Sequence, residues 1–359
     1  MALNTRQQRK LRISLKLIAF GIFAGLFFVI LSDGLNEWFP IRNGIIIGFL
    51  IAVLASIFEL NIYEKRIRKQ QFIVVLVTRS LFYLIMIFTI IILEIGIARM
   101  IKEDIDLAGL LQNEDFREYI YGGEFIASVF YTLALVVIIN FTRQISRKLG
   151  HGVMSSLITG KNYHPKEQEK IFMFLNIPAT NVIIDLIGRM KFHRFINEIV
   201  YDITLPILNN FGIIYQYVED EMVISWRMKE GIRNAHVIRC YFDIKDKIHE
   251  QREKYIKKYG IAPIFNAALH CGKVVKGEIG FIKSEIVYHG DVMNTASRIL
   301  HACSRLENEI LVSGQLMDMI ELPVVYTSKK CGDIRLKGKK EPMELFTIEE
   351  IDIKAMAFS

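Results

Sequence analysis

The sequence predicts an α+β protein in which an N-terminal bundle of about four transmembrane helices precedes a domain of alternating strands and helices. Hydrophobic residues make up 52% of the 359 residues, which is more than an ordinary soluble domain contains. The long apolar runs all lie before residue 142, and the remainder has the composition of a globular domain. We therefore predict a membrane domain over residues 1–141, a cytosolic connector over 142–167, a soluble domain over 168–350 and a C-terminal tail over 351–359.

Four apolar stretches are candidates for membrane-spanning helices. Each is about as long as a helix must be to cross a hydrocarbon core of ~30 Å at a rise of ~1.5 Å per residue. The third stretch contains Arg79 and Glu94, which we expect near its cytoplasmic and outer ends, where their charges can reach water. The four stretches cover residues 14–32, 43–60, 72–98 and 124–141.

The charges of the loops predict how these helices are oriented. The N-terminus, the 61–71 loop and the segment after residue 141 are basic, whereas the 99–123 loop is acidic. Because basic loops stay on the cytoplasmic side, we predict a multi-pass protein of the inner (cytoplasmic) membrane, with the N-terminus and the soluble domain in the cytoplasm. The same basic clusters contribute to the formal net charge of +7 and favour membrane lipid as a partner. Basic and aromatic residues are not interleaved, so we expect no nucleic acid partner.

In the soluble domain, apolar runs and amphipathic stretches alternate in the order β-α-β-β-α-β before several further elements. That order predicts a ferredoxin-like (βαββαβ) fold, with helices on one face of a largely antiparallel sheet. The predicted elements are a strand at 171–177, a helix at 182–210, a hairpin at 213–226, a helix at 230–258 closed by Gly260, strands at 263–271, 273–281 and 284–288, a helix at 291–305 and a last strand at 343–350.

The most specific pattern in the chain is the segment 272–299, GKVVKGEIGFIKSEIVYHGDVMNTASRI. A glycine-rich turn and strand lead to Gly-Asp, then Asn, then Ala-x-Arg at the start of a helix. This arrangement resembles the signature of the class III adenylate and guanylate cyclases, membrane-anchored bacterial type, and the resemblance extends over about residues 168–350. Several fixed spacings over one segment make the match specific. The matching positions are Gly272, Gly277, Gly280, Gly290, Asp291, Asn294, Ala296 and Arg298.

The resemblance implies two Mg²⁺ or Mn²⁺ ions per site, held by two aspartates. The second aspartate is present as Asp220, while Glu219 replaces the glycine before it and is a further candidate ligand. The first aspartate is replaced by Asn176. An amide oxygen can bind a divalent ion but brings no negative charge, so we expect weaker metal binding. A solvated hairpin turn is the alternative interpretation of Asp220.

Asn294 and Arg298 match the pair that, in this family, orients the ribose and stabilises the transition state. They lie four residues apart on a predicted helix and so project from one face, and the planar guanidinium suits phosphate oxygens. Lys337 matches a position that contacts the terminal phosphates, although its basic run is also typical of a solvated face. The remaining nucleotide-binding positions that the resemblance implies are Gln216 and Val287 for the base, Ile177 and Thr180 for phosphate, and Gly272 and Asp291 within the signature.

Taken together, these matches imply a membrane-bound nucleotide cyclase. It would convert ATP, or GTP, to the 3′,5′-cyclic nucleotide and pyrophosphate at sites shared between the two chains of a head-to-tail homodimer. Asn176, Glu219 and Pro178, which lacks a backbone donor, favour an alternative, a degenerate homologue that binds nucleotide or acts as a membrane signalling or scaffold module. A membrane role unrelated to cyclases is the third hypothesis.

Overall fold

The structure of the chain is a computed structural model. It describes residues 5–32, 38–58, 71–149, 153, 164–218, 220–280, 285–339 and 341–351. The chain forms two compact units, Met1–Lys148 and Leu149–Ser359, and each is described by itself. Glu219, the middle of the predicted connector and residues 352–359 of the predicted tail lie outside the described residues.

The first unit is mainly helical. Its described helices are α1 (Thr5–Ser32), α2 (Trp38–Ile57), α3 (Phe72–Glu103), α4 (Leu107–Gln112), α5 (Glu114–Tyr121) and α6 (Gly123–Leu149). Among the described residues, one helix is long and apolar enough to cross a membrane, over Phe72–Ile101, while Ser14–Phe27, Ile41–Ile57 and Thr132–Ser146 form shorter apolar helices. Four membrane-spanning helices are therefore not confirmed and stay a prediction.

Helices α1 and α2 pack closely because glycines face each other across their contact. A side chain at Gly25 would overlap the backbone of Gly44, and one at Gly48 would overlap the backbone of Gly21. Small residues spaced four apart on both helices permit such a close approach of two backbones. These two helices therefore pack backbone against backbone.

Polar side chains are buried where α3 and α6 meet. Asn140 Nδ2 donates to Ser80 Oγ at 3.1 Å. The neighbouring Arg79 is only 2% exposed, and its guanidinium lies 6.0 Å from the centre of the Tyr83 ring. The expectation that Arg79 extends outward from a helix end is therefore wrong, because the surrounding protein covers its side chain.

The second unit is built on one sheet whose strands lie in the order β2-β3-β1-β4-β6-β8-β7, with β5 paired to β4. Of these neighbouring pairs, only β4 and β6 are parallel, so the prediction of a largely antiparallel sheet is confirmed. The strands are β1 (Lys166–Asn176), β2 (Ile213–Val218), β3 (Glu221–Arg227), β4 (Asn266–Ile279), β5 (Glu285–His289), β6 (Ile310–Ser313), β7 (Tyr326–Ile334) and β8 (Met343–Glu350).

Helices cover both faces of this sheet, and the predicted β-α-β-β-α-β order is present. Ile199 of α8 (Arg189–Asn209) and Ile244 of α10 (His236–Glu250) pack with Trp226 on one face. Ile299 of α12 (Asp291–Arg305) packs with Phe172 on the other face. The prediction that helices lie on one face is therefore wrong for α12, because both faces of the central strands are apolar. The helices of this unit are α7 (Thr180–Ile187), α8 (Arg189–Asn209), α9 (Met228–Ile232), α10 (His236–Glu250), α11 (Arg252–Tyr259), α12 (Asp291–Arg305) and α13 (Gly314–Met317).

Two of the predicted helices are divided. The helix predicted at 182–210 breaks at Gly188, whose φ of +81° ends α7 before α8 begins. The helix predicted at 230–258 breaks where Asn234 adopts a φ of +53°. Gly260 ends α11 in the left-handed conformation, as predicted.

The strands predicted at 263–271 and 273–281 are one strand, β4. Its pairing with β1 continues from Asn266 to Lys276 without interruption. Gly272 therefore does not end a strand. Instead, its missing side chain makes room for α12, since a Cβ at this position would lie 2.8 Å from Val292 Cγ2.

Candidate active site

The first cluster of predicted site residues lies at the end of β1. Asn176, the last residue of the strand, is paired with Glu221 on one side and with Asn266 on the other. Among the described residues, the buried Oδ1 atom of Asn176 has no hydrogen-bond partner. A buried acceptor without a partner is costly, so this oxygen is suited to a donor or a cation that comes from outside the chain.

A sharp turn after β1 brings Thr180 to the same place. Pro178 cannot donate a backbone hydrogen bond, and Ala179 adopts a φ of +58° just before α7 begins. The Thr180 hydroxyl lies 2.6 Å from Asp220 Oδ2 and 2.8 Å from the Ile177 carbonyl oxygen. Because the hydroxyl has a single proton, it donates to one of these acceptors at a time.

The oxygen atoms at the end of β1 are of the type that binds a hard divalent cation, although together they carry little negative charge. Mg²⁺ and Mn²⁺ take carboxylate, amide and carbonyl oxygens, and Asp220 and Asn176 supply the first two. Glu219 would add a second carboxylate but lies outside the described residues. Among the described residues, no group of three His, Cys, Asp or Glu side chains could hold a metal ion. The residues therefore fit a cation that also takes oxygens from a phosphate or from water.

The second cluster lies on the outer side of α12. Asn294 is exposed, and Arg298, one turn further along, is half-buried. The chain turns at Gly338, with a φ of +74°, so close to Arg298 that a Cβ there would lie 3.4 Å from Nη2. Leu336 is 3% exposed and fixes this segment to the core, which leaves the side chain of Lys337 exposed beside the helix.

Asp291 and Lys339 form an ion pair at the start of α12. The hydrogen bond from Lys339 lowers the pKa of the Asp291 carboxyl group, against a smaller effect of burial. Thr295 Oγ1 also donates to Asp291 Oδ2, at 3.3 Å. The predicted nucleotide-binding residue Asp291 is therefore already occupied by contacts within the chain.

The residues next to the two predicted base-reading positions are in contact. The backbone N–H of Tyr288 donates to the Tyr215 hydroxyl at 3.2 Å, and the two ring centres are 4.9 Å apart. Gln216 directly follows Tyr215 on β2, and Val287 directly precedes Tyr288 on β5. Burial lowers the pKa of Lys170 to about 8, and its Nζ lies 5.7 Å from the centre of the Tyr288 ring.

Within one chain, Asn294 is held away from the end of β1. Helix α12 runs alongside β4, and its last turn meets the start of that strand, where Asn266 Nδ2 donates to Ser304 Oγ at 3.3 Å. Asn266 is the residue that pairs with Asn176. Asn294 lies ten residues before Ser304, on the order of 15 Å along the helix axis. A site that needs both clusters is therefore incomplete in one copy.

The family model for the adenylate and guanylate cyclase catalytic domain matches residues 231–350. The chain therefore contains an adenylate and guanylate cyclase catalytic domain over residues 231–350. It is 30% identical to Adenylate cyclase 2 of Rhizobium meliloti (strain 1021) over 218 residues, which cover 61% of this chain and 60% of that relative. The match thus spans less than two thirds of the relative's length.

Two solved structures of a bacterial light-regulated adenylyl cyclase share the fold of the cyclase domain. One has a TM-score of 0.53 at 16% identity and covers 66% of this chain and 70% of the other. The second has a TM-score of 0.52 at 18% identity and covers 61% and 64%. At these identities the likeness concerns the fold alone.

Sequence reasoning on the cyclase domain missed several residues that the structure brings to the predicted sites. Thr180 itself was predicted, for phosphate, but the contact of its hydroxyl with Asp220 was not. Tyr215 joins the two base-reading strands through Tyr288, and neither tyrosine belongs to a spaced motif. Arg305 and Arg335 lie beside Arg298 in one cleft. The spacing of Arg305 from Arg298, two helical turns, was the one sequence signal available.

Proposed function

We propose that this chain is a nucleotide cyclase that converts ATP to 3′,5′-cyclic AMP and pyrophosphate. One observation carries the proposal: the Asn176 oxygen, which has no hydrogen-bond partner among the described residues, lies beside the Asp220 turn, apart from the Asn294/Arg298 face. The first cluster suits a cation and the second suits phosphate and ribose. Together they have the parts that transfer of the α-phosphoryl group to the ribose 3′-oxygen requires.

The proposed cofactor is Mg²⁺ or Mn²⁺, two ions per site, with Asp220, Asn176 and Glu219 as the candidate ligands. When bound, the metal supplies the positive charge that assists attack of the 3′-oxygen on the α-phosphorus. The Thr180 hydroxyl holds one oxygen of the Asp220 carboxylate and so fixes its orientation. The first amides of α7, at Thr180 and after it, have no partner within the helix and suit a phosphate group.

Asn294 and Arg298 are the proposed catalytic residues. The Arg298 guanidinium remains charged at neutral pH and can donate two parallel hydrogen bonds to phosphate oxygens. Such a donor stabilises the transition state when it lies where negative charge develops. Asn294 projects from the same face and would orient the ribose, and Lys337 would contact the terminal phosphates. The short segment from Leu336 to Gly338 holds Lys337 beside Arg298.

A homodimer completes the proposed site. Because Asn294 lies on the order of 15 Å along α12 from the end of β1, the metal-binding cluster of one chain would face the Asn294/Arg298 cluster of its partner. A twofold axis would then generate two equivalent sites.

ATP is the preferred substrate, and GTP is the alternative. The similarity to a protein called an adenylate cyclase supports ATP. Gln216 can hydrogen-bond either purine, whereas Val287 offers only shape.

We also propose that the first unit anchors the domain in the cytoplasmic membrane through several helices, in contact with membrane lipid, with the N-terminus and the cyclase domain in the cytoplasm. The apolar helix over Phe72–Ile101 supports at least one crossing. The basic loops support the orientation.

A degenerate cyclase is the second candidate function. The amide in place of a carboxylate at Asn176 and the missing backbone donor at Pro178 favour it. In that case the domain would bind nucleotide, or act as a membrane signalling or scaffold module, without turning the nucleotide over.

The deciding experiment measures cyclic nucleotide formed by the full-length protein with Mn²⁺ and ATP or GTP. We expect cyclic AMP from the wild type. Asp220→Ala and Arg298→Ala should each abolish most of it, and co-expression of the two variants should restore roughly a quarter of the wild-type rate, because mixed dimers retain one intact site. No product from the wild type, with product from Asn176→Asp, would establish the degenerate alternative. Activity without restoration in mixed dimers would reject the shared site.

A further inference from the structure

A basic cleft extends beyond the residues that the proposed cyclase reaction uses. It has a volume of about 500 Å³ and lies between α12 and the segment from Arg335 to Gly338. Its lining includes Arg298 and Lys337, and also His301, Arg305 and Arg335. The described lining contains no carboxylate.

The sequence builds this cleft from two local patterns. Arg298, His301 and Arg305 are three and four residues apart along α12 and therefore share one face of the helix. Leu336 is buried in the core, and the residues on either side of it are exposed. Arg335 and Arg305 therefore line the same cleft, one from each of its two sequence segments.

The positive charge of the cleft is not compensated within the described residues. Asp291, the acidic residue in the first turn of α12, is engaged by Lys339. The hydrogen bonds and ion pairs of the described residues include none from Arg305 or Arg335. Four cationic side chains that line one cleft repel each other, so their common face attracts an anion of high charge.

We propose that Arg305 and Arg335, with His301, form a subsite that binds inorganic pyrophosphate, next to the part of the cleft formed by Arg298 and Lys337. The inference rests on the proposed cyclisation. In that reaction the bond from the ribose 3′-oxygen to the α-phosphorus forms, and the bond from that phosphorus to the bridging oxygen breaks. Pyrophosphate leaves with the electron pair of the broken bond, and the 3′-hydroxyl proton passes to water.

The subsite binds pyrophosphate after it has separated from the α-phosphorus. Each guanidinium can donate two hydrogen bonds to one phosphate group, and both arginines line the same cleft. Pyrophosphate would then leave the protein slowly, and it would inhibit the reaction at concentrations at which inorganic monophosphate does not.

The test is isothermal titration of full-length protein in detergent with sodium pyrophosphate, in EDTA and without nucleotide. We expect saturable binding by the wild type. In the double variant Arg305→Gln/Arg335→Gln, we expect binding at least tenfold weaker, equivalent to about 1.4 kcal/mol. Arg305→Lys/Arg335→Lys keeps the charge without the planar fork and should fall between. Arg252→Gln, at an exposed position on α11, is the matched control and should bind as the wild type does.

The outcomes separate this inference from the proposed function. Wild-type-like pyrophosphate binding by the folded double variant, or no binding by the wild type, would overturn the subsite even if cyclic nucleotide is formed. Loss of pyrophosphate binding in the double variant of a protein that forms no cyclic nucleotide would instead reject the cyclase proposal and keep the anion site. A folded state is verified by an unchanged urea unfolding midpoint of the double variant.

Discussion

The end of β1 and the outer side of α12 are the two halves of the proposed site, and the charge of each departs from the family pattern in a different direction. At the end of β1 the chain has a neutral amide, Asn176, where the family has a carboxylate, and one described carboxylate, Asp220. In the cleft between α12 and the segment from Arg335 to Gly338 it has more cations than the resemblance requires, with Arg305 and Arg335 in addition to Arg298 and Lys337. The β1 half carries less negative charge than expected, and the α12 half carries more positive charge.

This difference suggests how charge is distributed in the assembled site. A cation held by fewer carboxylates depends more on the oxygens of the nucleotide, and a richer set of arginines holds those phosphates more firmly. We infer that the α12 side contributes more to nucleotide binding than the β1 side does. The following predictions test or refine that comparison.

Replacing Arg298 should have the largest effect. In Arg298→Ala we expect turnover to fall at least ~100-fold, because a transition-state contact worth ~3 kcal/mol is lost. Steady-state kinetics with Mn²⁺ and ATP provide the measurement, and Arg252→Ala is the control. A rate within a few-fold of the wild type would show that α12 does not contact the reacting phosphorus.

Restoring a carboxylate at the end of β1 should strengthen metal dependence. In Asn176→Asp we expect the Mg²⁺ concentration for half-maximal activity to fall about tenfold, or ~1.4 kcal/mol, because a charged ligand replaces a neutral one. Asn197→Asp, at an exposed position on α8, adds the same charge elsewhere and should leave that concentration unchanged. The same metal dependence in both variants would remove Asn176 from the metal site.

Acid should lower the stability of the cyclase domain through the buried side chain of His270. His270 is 5% exposed and its Nδ1 lies 2.9 Å from Ser313 Oγ. Burial, and then the charge of Lys339, lowers its pKa to about 4. In the unfolded chain His270 therefore binds a proton near pH 6.5, whereas in the folded chain it does so only near pH 4. The free energy of unfolding therefore decreases as the pH falls from 6.5 toward 4.

Between pH 7 and 5.5 we expect the His270 contribution to the free energy of unfolding to fall by about 1 kcal/mol. Urea unfolding followed by tryptophan fluorescence measures the change, and Trp226 in this unit is buried. His270→Gln should flatten the pH dependence, whereas exposed His289→Gln should not. An equal pH slope in both variants would contradict the assignment.

The smallest effect should come from the Asp291–Lys339 pair. Because both side chains are partly exposed, solvent screens the pair, and Lys339→Gln should cost no more than about 0.5 kcal/mol of stability. A double-mutant cycle with Asp291→Asn isolates the pairwise energy, and Lys330→Gln, which breaks the Lys330–Glu344 pair, is a matched comparison. A coupling above about 2 kcal/mol would mean that the pair is far better shielded than its exposure indicates.

The order of elements and the signature positions were predictable because they depend on local patterns. Alternating and helical periodicities gave the β-α-β-β-α-β order, and Gly260 ends its helix where predicted. The exact residues at which helices and strands end were less predictable. Gly188 divides a helix that reads as continuous, while Gly272 fails to end a strand because pairing with β1 carries β4 through it. In both cases the surrounding fold selected between conformations that glycine allows equally.

By itself, the sequence determined the family resemblance, the amide at Asn176, the face shared by Asn294 and Arg298, and the apolar first unit, since each depends on residue type and short spacing. Only the tertiary structure decided that the Thr180 hydroxyl meets Asp220, that Arg335 and Arg305 line one cleft, and that Asn294 lies away from the end of β1 within one chain. Each of these is a contact, or a distance, between segments joined by long connections. Such relations follow from how the sheet and its helices pack, and no local pattern encodes them.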